Sequence, residues 1–391
     1  MVKYSIWIFH ISVLLFIATK YTVANLNRKD LPVSEVLNNM AFDNVTKNIF
    51  IGGDNVLLKA SENLVALKRQ ATGPNLDFVD CYRDFGQTCA GKVTTNINKL
   101  LLIDSSKRHL IVCGSFNHGV CQIRSLDSLK LQTNGTVYVV SRTPLQAAAL
   151  ITPAGKRSGT RALYVATSWD KEYFTSSDLQ YITPAVSTRI IDDLNRLFEP
   201  AKDAIAANSY LQYRENVVYH AKFIYAFSAG IFNYFVSVQQ TVESFTKDCK
   251  GGCSTNQSKF KTFIVRLCQE DEVYSSYMEL PLDCKGSNGT SFNIAQSAYL
   301  TKAGDGLAVD ASTDVLVVTF FKVDKGWSGP SQYSAVCTYS VKEIKATLVS
   351  NLQNCVNNAN DEEIGLPWAG GKVRKCDDEV NNGCHNLSVR K

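Results

Sequence analysis

The chain has 391 residues, 12 cysteines, 41 basic and 36 acidic residues, and 45% of its residues are apolar. This composition is typical of a globular protein with a large core, and it excludes the disordered and fibrous classes. The net charge of +5 is too small to favour a nucleic-acid partner, and no basic block is present to bind one. Five histidines in the whole chain leave little material for histidine-based metal or acid–base chemistry.

The first 24 residues are organised like a secretory signal peptide. Lys3 supplies a positive charge, Ser5–Ala18 is almost wholly apolar, and small residues lead up to Ala24, after which we expect cleavage. The apolar segment is too short to favour a membrane anchor. A later apolar segment, Phe223–Val238, is interrupted by polar residues and glycine, so it is better interpreted as two strands joined by a tight turn. We therefore expect residues 25–391 to be a soluble, secreted domain without a membrane span.

The cysteines and the glycosylation sequons agree with export. An oxidising compartment permits disulfides, and an even number of cysteines suits a fully paired set. Spacing suggests local pairs of Cys81 with Cys89 and Cys113 with Cys121, and Cys249 with Cys253 could close a third small loop. Only this last spacing fits a zinc knuckle, and no second knuckle matches it, so we expect no metal and no cofactor. Sequons, which mark surface loops in an exported chain, begin at Asn44, Asn134, Asn256, Asn288 and Asn386.

Short apolar strands separated by turns recur along the chain. Asn96–Asp104, His109–Ser115 and a segment beginning at Val120 follow one another with only turns between them, which is a β-meander. Helical periodicity is confined to Arg189–Phe198 and to a stretch near Val341–Ser350. This pattern favours an all-β fold, and a β-propeller of successive four-stranded sheets fits the repeated meander best. Further strands are predicted at Ile49–Gly53, Val56–Ala60, Arg161–Trp169, Phe223–Gln239, Phe260–Leu267, Thr313–Phe321 and Ser334–Val341.

No group of residues matches a catalytic motif, and we expect that the protein is not an enzyme. Asp192 and Asp193 are neighbours on a predicted helix, where adjacent side chains do not face each other. They are therefore a poor carboxylate pair for glycoside hydrolysis and are better interpreted as a solvated helix face. His118, between Cys113 and Cys121, is better interpreted as a surface turn residue than as a base.

Seven segments occur in a defined order with the cysteines: Ala71–Asp77, Asn96–Asp104, Cys113–Leu129, Phe263–Cys284, Ala298–Ala308, Ser334–Ile344 and Leu352–Cys355. Taken together, they resemble the sema domain of plexins. Each segment alone is modest, but their collinear order with the cysteines is specific and covers roughly residues 45–387. Semaphorins and the hepatocyte growth factor receptor group share this fold, and the LLLID and RLCQEDE stretches favour plexin. The resemblance implies a seven-bladed β-propeller, of which about five blades are present here.

The plexin pattern also implies the pairing of the remaining cysteines. It pairs Cys268 with Cys384, Cys284 with Cys337, and Cys355 with Cys376. Cys249 and Cys253 are not part of the pattern and are left as a pair.

The resemblance implies that the chain binds the sema domain of a semaphorin and acts in guidance signalling. Its location would be the cell surface if it is part of a full-length plexin, and the extracellular space as it stands. A stretch similar to one near the plexin ligand-binding blades offers Trp169, Asp170, Lys171 and Tyr173 as ligand contacts. The alternative is that Trp169 and Phe174 belong to a blade core. Two other functions are a secreted decoy or mimic that binds semaphorin without transducing, and a growth-factor-receptor-like sema protein.

The family's closing blades, membrane span and cytoplasmic region have no counterpart in the sequence, so we expect a C-terminally incomplete domain. In a propeller of this kind, strands from the two chain ends share one blade. Ile49–Gly53 and Val56–Ala60 would then lack a C-terminal partner strand. Exposed sheet edges invite pairing with other chains, which makes self-association an expected property.

Overall fold

The computed structural model describes the chain from residue 30 to residue 358, with gaps. The described ranges are 30–77, 91–142, 145–154, 160–168, 185–201, 210–212, 221–241, 259–269, 271, 274, 276–307, 309–324 and 333–358.

Five antiparallel sheets, called blades 1 to 5, are each built from strands consecutive in the chain. Blade 1 contains β1 (Leu37–Phe42), β2 (Ile49–Gly53), β3 (Val56–Ala60) and β4 (Ala66–Ala71). A short ribbon of β5 (Asn75–Asp77) and β6 (Lys92–Thr94) follows. Blade 2 contains β7 (Asn98–Asp104), β8 (His109–Gly114), β9 (Val120–Ser125) and β10 (Leu131–Tyr138). Blade 3 contains β11 (Ala148–Pro153), β12 (Arg161–Thr167), β13 (Ala185–Ile190) and β14 (Tyr210–Gln212).

The C-terminal half of the described chain continues the pattern. Blade 4 contains β15 (Ala221–Ala229), β16 (Phe232–Gln240), β17 (Phe260–Cys268) and β18 (Met278–Pro281). A ribbon of β19 (Cys284–Lys285) and β20 (Ser291–Phe292) leads to the three strands of blade 5, which are β21 (Ile294–Lys302), β22 (Asp314–Phe321) and β23 (Ser334–Ser340). Helix α1 (Val341–Asn358) follows β23 directly.

The first strands of successive blades contact one another in chain order. β1 contacts β7, β7 contacts β11, β11 contacts β15, and β15 contacts β21. The first strand of each blade is therefore the inner one, and the blades are arranged around a common axis. The predicted all-β propeller, with five blades in the described part of the chain, is confirmed.

The hydrophobic core is divided into seams between neighbouring blades. Blades 1 and 2 meet at Phe50, Leu57 and Leu110, and blades 2 and 3 meet at Ile111 and Leu163. Because successive strand residues point to opposite faces, each inner strand supplies two seams. The buried side chains of the other two seams include Tyr164, Val186, Phe223 and Val265 between blades 3 and 4, and Val236, Ile264, Leu316 and Val318 between blades 4 and 5.

The predicted helix near Val341–Ser350 is confirmed as α1. Ser340 and Glu343 have capping-box spacing, and the Ser340 hydroxyl accepts a hydrogen bond from the Glu343 N–H at 3.4 Å. Ile344, Leu348 and Leu352 repeat along one face of the helix and are buried in the seam of blades 4 and 5. The helix therefore covers the end of this seam.

The predicted helix at Arg189–Phe198 is wrong. Its first residues end β13, which pairs with β12 over six residues, and only Leu194–Arg196 forms a single 3₁₀ turn. Leu194 is exposed, so the apolar residues do not share one buried face. The β-branched residues fit the ladder better than a helix, and the periodicity was a coincidence of a strand end followed by a turn.

The two aspartates of this segment also differ from expectation. Asp192 forms an ion pair with Arg161 at 2.5 Å, and the Asp193 carboxylate accepts from the Asn195 N–H at 2.9 Å, capping the turn. Both aspartates are exposed, as expected, but they precede a 3₁₀ turn and do not lie on a helix face.

The expectation that the first blade lacks a partner strand is wrong. The strands Ile49–Gly53 and Val56–Ala60 do not lack a partner, because β1 and β4 complete a four-stranded sheet in the order β1-β2-β3-β4. The sequence of β1, LNNMAF, contains two asparagines and no β-branched residue, so its composition gave little indication of a strand.

Buried aspartates at the ends of inner strands connect neighbouring blades. Asp43 follows β1, accepts from the Thr46 hydroxyl at 2.6 Å, and pairs with Arg108 of blade 2 at 2.9 Å. Asp104 ends β7, and one of its oxygens accepts from the Ser106 hydroxyl at 2.7 Å and from Arg161 of blade 3 at 2.8 Å. Burial alone would raise the pKa of each carboxyl, but the hydroxyl and arginine contacts hold both pKa values below the usual range. Each carboxylate thus shapes its own turn and binds the next blade.

Glu279 of β18 is buried between blades 3 and 4, where two neutral side chains hydrogen-bond to its carboxylate. Its carboxylate accepts from the Tyr277 hydroxyl at 2.6 Å and from the Gln239 amide at 3.2 Å. Burial raises the pKa of Glu279 to about 7, although these two hydrogen bonds oppose the rise. The carboxyl therefore binds a proton more readily in the folded state than in the unfolded state.

We expect Glu279→Gln to stabilise the protein at pH 8. Because the folded pKa lies above the unfolded value of about 4.3, the free energy of unfolding falls as the pH rises towards 7 and the loss is complete above it. The amide cannot ionise, so the variant should gain roughly 1–3 kcal/mol at pH 8 and almost nothing below pH 4.5. Urea unfolding midpoints across this pH range measure the difference, with the exposed Glu343→Gln as control. A variant that is no more stable than the parent at pH 8 contradicts the argument.

The face of blade 1 that points away from blade 2 is only partly covered. Leu31 and Val33, in the segment before β1, pack against Ile51 and its neighbours. Two large apolar side chains of β1, Met40 at 71% and Phe42 at 48% exposure, remain in contact with solvent. Contact of this face with another molecule would therefore remove exposed apolar surface from water.

The self-association expected from exposed sheet edges stays a prediction, and this apolar face is a second surface through which it could occur. We expect the double variant Met40→Lys and Phe42→Lys to shift the secreted chain towards monomer in sedimentation velocity runs, because like charges on the face oppose its burial. Leu307→Lys with Val309→Lys, at two exposed apolar residues near blade 5, is the matched control. A parent chain that is monomeric at high micromolar concentration contradicts the expectation.

Candidate ligand-binding surface

The residues predicted to contact ligand, Trp169, Asp170, Lys171 and Tyr173, lie outside the described residues, as does Phe174. The structure does describe the strand that leads to them. β12 is the second strand of blade 3 and pairs with β11 and β13 over its whole length. It begins beside Asp104 at Arg161 and ends at Thr167, so its last residue lies at the opposite face of the propeller.

The point where the chain leaves β12 is buried and hydrogen-bonded. Ser168 is 1% exposed, and the Thr167 hydroxyl accepts from the Ser141 N–H at 2.9 Å. Ser141 belongs to the connection between blades 2 and 3. The residue before Trp169 is therefore anchored at the seam of these two blades.

An aspartate next to this anchor joins three separate segments. Asp77 of β5 is fully buried. Its carboxylate accepts from the Asn117 N–H at 3.0 Å, from the Thr94 hydroxyl at 2.9 Å and from Arg142 at 2.9 Å. A buried carboxylate with an arginine and two further donors is well satisfied. It fixes the β5–β6 ribbon and the connection that carries Ser141 to the same face of blade 2.

A buried lysine lies in the same polar region. Lys99, in the inner strand β7, has no exposed surface. Burial lowers its pKa to about 8, a fall that Asp54 opposes and Arg142 increases. Asn39 of blade 1 donates to the Asn98 side chain at 2.8 Å, so polar side chains connect the inner strands of blades 1 and 2 here. Sequence patterns could not reveal this group, since its members are separated by up to a hundred residues.

His118 is not the surface residue that the sequence predicted. It is buried, and its ring packs edge-on against Tyr138 with centroids 5.5 Å apart. Asn117 and His118 both have positive φ angles, which turns the loop back on itself. Gly119 follows at φ 95°, where a side chain would collide with the Val140 carbonyl, so only glycine fits this turn.

Two of the expected disulfides lie within the described residues, and both are formed. Cys113–Cys121 joins directly paired residues of β8 and β9, with Cα atoms 4.0 Å apart. Cys284–Cys337 joins β19 to β23, with Cα atoms 5.9 Å apart. Cys268 is disulfide-bonded, but its expected partner lies outside the described residues, as do Cys81, Cys89, Cys249, Cys253 and Cys376. Cys355 is described only as part of the backbone of α1.

Three of the five sequon asparagines are described, and all three are exposed. Asn44 and Asn288 lie in turns, as predicted. Asn134 lies in strand β10 instead of a loop, paired with Gln122 of β9. Asn256 and Asn386 are outside the described residues.

Two other expectations can be examined only in the described part of the chain. There, no three histidine, cysteine or acidic side chains come together in a way that could hold a metal ion. No helix in this part is both long and apolar enough to cross a membrane.

Comparison with known proteins connects this architecture to a family. A model described as "Sema domain" matches residues 295–378. Human Plexin-A3 is 30% identical over 380 residues, covering 93% of this chain and 20% of the relative. Human Plexin-A2 is 28% identical, covering 87% of this chain and 18% of the relative. The structure of the full extracellular region of plexin A4 superposes with a TM-score of 0.71 and 26% identity, covering 86% of this chain and 37% of that one. The chain carries a plexin-type sema domain.

Two facts define the extent of this relationship. The chain spans about a fifth of the length of the curated plexins it matches. Drosophila Semaphorin 1a has a similar structure, with a TM-score of 0.51, 19% identity, and coverage of 81% of this chain and 55% of that one. At this level of identity the likeness to Semaphorin 1a concerns the fold alone.

The remaining disulfides of this sema domain stay predictions, and peptide mapping can test them. We expect non-reducing digests of the secreted chain to contain Cys268–Cys384, Cys355–Cys376, Cys81–Cys89 and Cys249–Cys253. Cys113–Cys121 and Cys284–Cys337 serve as internal controls, because the structure already contains them. A free Cys249, or an exchange among the four expected pairs, contradicts the assignment.

Proposed function

We propose that this chain is the semaphorin-binding part of a plexin-like receptor and acts outside the cell. The observation that carries the proposal is the superposition on the plexin A4 extracellular region over most of the chain. The 30% identity to Plexin-A3 supports the same relationship at the level of sequence. The resemblance noted in the sequence extends it to the ligand, since plexin sema domains are expected to bind the sema domain of a semaphorin.

We propose that the segment containing Trp169, Asp170, Lys171 and Tyr173 contributes to the binding surface. Protein recognition by a propeller uses loops and blade edges supported by a rigid sheet. The buried Ser168 and the hydrogen bond between Ser141 and Thr167 provide such a support. Aromatic residues next to charged ones are typical anchors of a protein–protein interface.

The proposal predicts that charge reversal in this segment weakens semaphorin binding. Asp170→Lys with Lys171→Glu should reduce affinity about tenfold or more for any semaphorin that the parent chain binds, because the reversed charges repel the complementary charges on the semaphorin surface. The melting temperature should change little, since the segment is proposed to form a surface and surface substitutions typically cost within about 0.5 kcal/mol. Surface plasmon resonance with a panel of semaphorin ectodomains and differential scanning calorimetry measure the two quantities.

A matched control separates a local effect from a change in net charge. Asp305→Lys with Lys322→Glu reverses the same two charge types at exposed residues of blade 5 and should leave affinity unchanged. Equal affinity of the first variant and the parent would remove the segment from the binding surface. A parent chain that binds no semaphorin would overturn the proposed function, and binding to a growth factor instead would favour the growth-factor-receptor-like alternative.

A further inference from the structure

A cavity of about 750 Å³ lies between blades 1 and 2. Its blade 1 wall is the connection that follows β4, from Ala71 to Leu76. Its blade 2 wall consists of side chains from β8, β9 and β10, including Gln122, Arg124 and Asn134. The cavity is therefore formed only when the two blades are packed together.

Arg124 is the charged residue of this wall, and only 7% of its surface is exposed. Its Nε and Nη2 atoms donate to the Gln122 side-chain oxygen at 3.0 and 2.8 Å, and Nη1 donates to the Leu129 carbonyl at 2.9 Å. All these acceptors are neutral. A guanidinium has five N–H donors, so two of them are not used by these contacts.

Arg124 differs in this respect from arginines near it. Arg108, Arg142 and Arg161 each form an ion pair with a buried aspartate. Among the described residues no carboxylate pairs with Arg124, and burial alone acts on its pKa, which it lowers. A buried charge normally requires an opposite charge to offset its desolvation. The wall of the cavity thus holds a cation whose counter-charge is missing from the described part of the protein.

The side chains next to Arg124 hold it in a fixed orientation. Gln122 donates from its amide nitrogen to the Asn134 side-chain oxygen at 2.9 Å while its oxygen accepts from Arg124. This chain of three side chains leaves the guanidinium pre-arranged for a planar anion such as a carboxylate, or for a sulfate.

We propose that this cavity binds an acidic saccharide, with Arg124 contacting its carboxylate or sulfate group. Besides Arg124, the polar lining consists of amide and hydroxyl side chains, which both donate and accept as sugar hydroxyls require. Apolar side chains on the same walls can contact the C–H faces of a sugar ring. These lining residues are Thr72, Asn96, Asn134, Thr136, Phe116 and Leu131.

The test uses the full chain secreted from mammalian cells that make only high-mannose glycans and trimmed with endoglycosidase H, so that each occupied sequon keeps a single sugar. The probes are a heparin-derived sulfated disaccharide, neutral N-acetyllactosamine, sodium sulfate and an aspartate-rich peptide, measured by isothermal titration calorimetry. We expect saturable binding of the sulfated disaccharide, at least about tenfold tighter than that of the neutral disaccharide, because hydrogen bonds to charged groups are the stronger ones. It should also bind at least about tenfold tighter than sulfate, because sulfate lacks the sugar hydroxyls and C–H faces that the other lining residues contact.

Two variants test the role of Arg124. Arg124→Gln should reduce affinity about tenfold or more. Gln122→Glu should do the same by a different route, because the new carboxylate pairs with the guanidinium inside the wall and supplies the counter-charge that the ligand would otherwise provide. This second variant should also unfold at a temperature no lower than the parent, so lost binding cannot be attributed to lost folding.

Arg189→Gln is the matched control. Arg189 is also buried and donates to the neutral Ser187 hydroxyl and Phe198 carbonyl, but it does not line this cavity. We expect its variant to retain saccharide binding. The proposal is overturned if the sulfated disaccharide does not bind, if either Arg124→Gln or Gln122→Glu binds it as the parent does, or if the neutral disaccharide, sulfate or the peptide binds equally well.

Discussion

The apolar seams between blades are the constraint on which the rest of the structure depends. A sheet such as blade 2 is hydrophobic on both faces, with Leu101 directed towards blade 1 and Leu100 towards blade 3. Such a sheet cannot be stable alone, because one or both faces would remain in water. Each blade is therefore stabilised by its neighbours, and energetic terms act mainly between consecutive blades, as they do in repeat proteins. The cavity, the polar region around Asp77 and the anchor at Ser168 all lie at seams and exist only because the blades pack.

Polar contacts give these seams their specificity. An apolar interface alone allows two sheets to slide, whereas a carboxylate and an arginine have a defined geometry. Asp43 with Arg108 and Asp104 with Arg161 fix blades at one face of the propeller, and Asp77 with Arg142 fixes segments at the opposite face. The two sets of contacts together define the angle between successive blades at both ends of the seam.

Most of the fold could be predicted from the sequence, because its signals are local. The ranges Ile49–Gly53 and Val56–Ala60 coincide with β2 and β3, and alternating apolar residues with turn residues between them were sufficient to find the meanders. The prediction failed where tertiary contacts override local preference. β1 contains two asparagines and no β-branched residue and is held by its partner strand. The segment Arg189–Phe198 has a helical period, but its first two residues end β13 by pairing with β12 and a 3₁₀ turn follows. The prediction that His118 lies at the surface was wrong for the same reason, since its burial depends on Tyr138, twenty positions away.

Site residues were harder to predict than strands. Trp169, Asp170, Lys171 and Tyr173 came from family resemblance, whereas Arg124 and Asp77 carry no sequence signal beyond their own identity. A buried arginine is informative only when its acceptors are known. The contrast between Arg124 and Arg142 arises from which side chains lie opposite them across a seam, and no spacing along the chain encodes that.

The shared role of Asp43 and Asp104 has a consequence for the order of assembly. Each carboxylate organises the turn of its own blade, yet its ionic partner is supplied by the blade that follows in the chain. During synthesis the N-terminal blade emerges first, and its turn can reach its final electrostatic environment only after the next blade has left the ribosome. The ion pairs at Asp43 and Asp104 therefore form in the same N-to-C order in which the blades are synthesised.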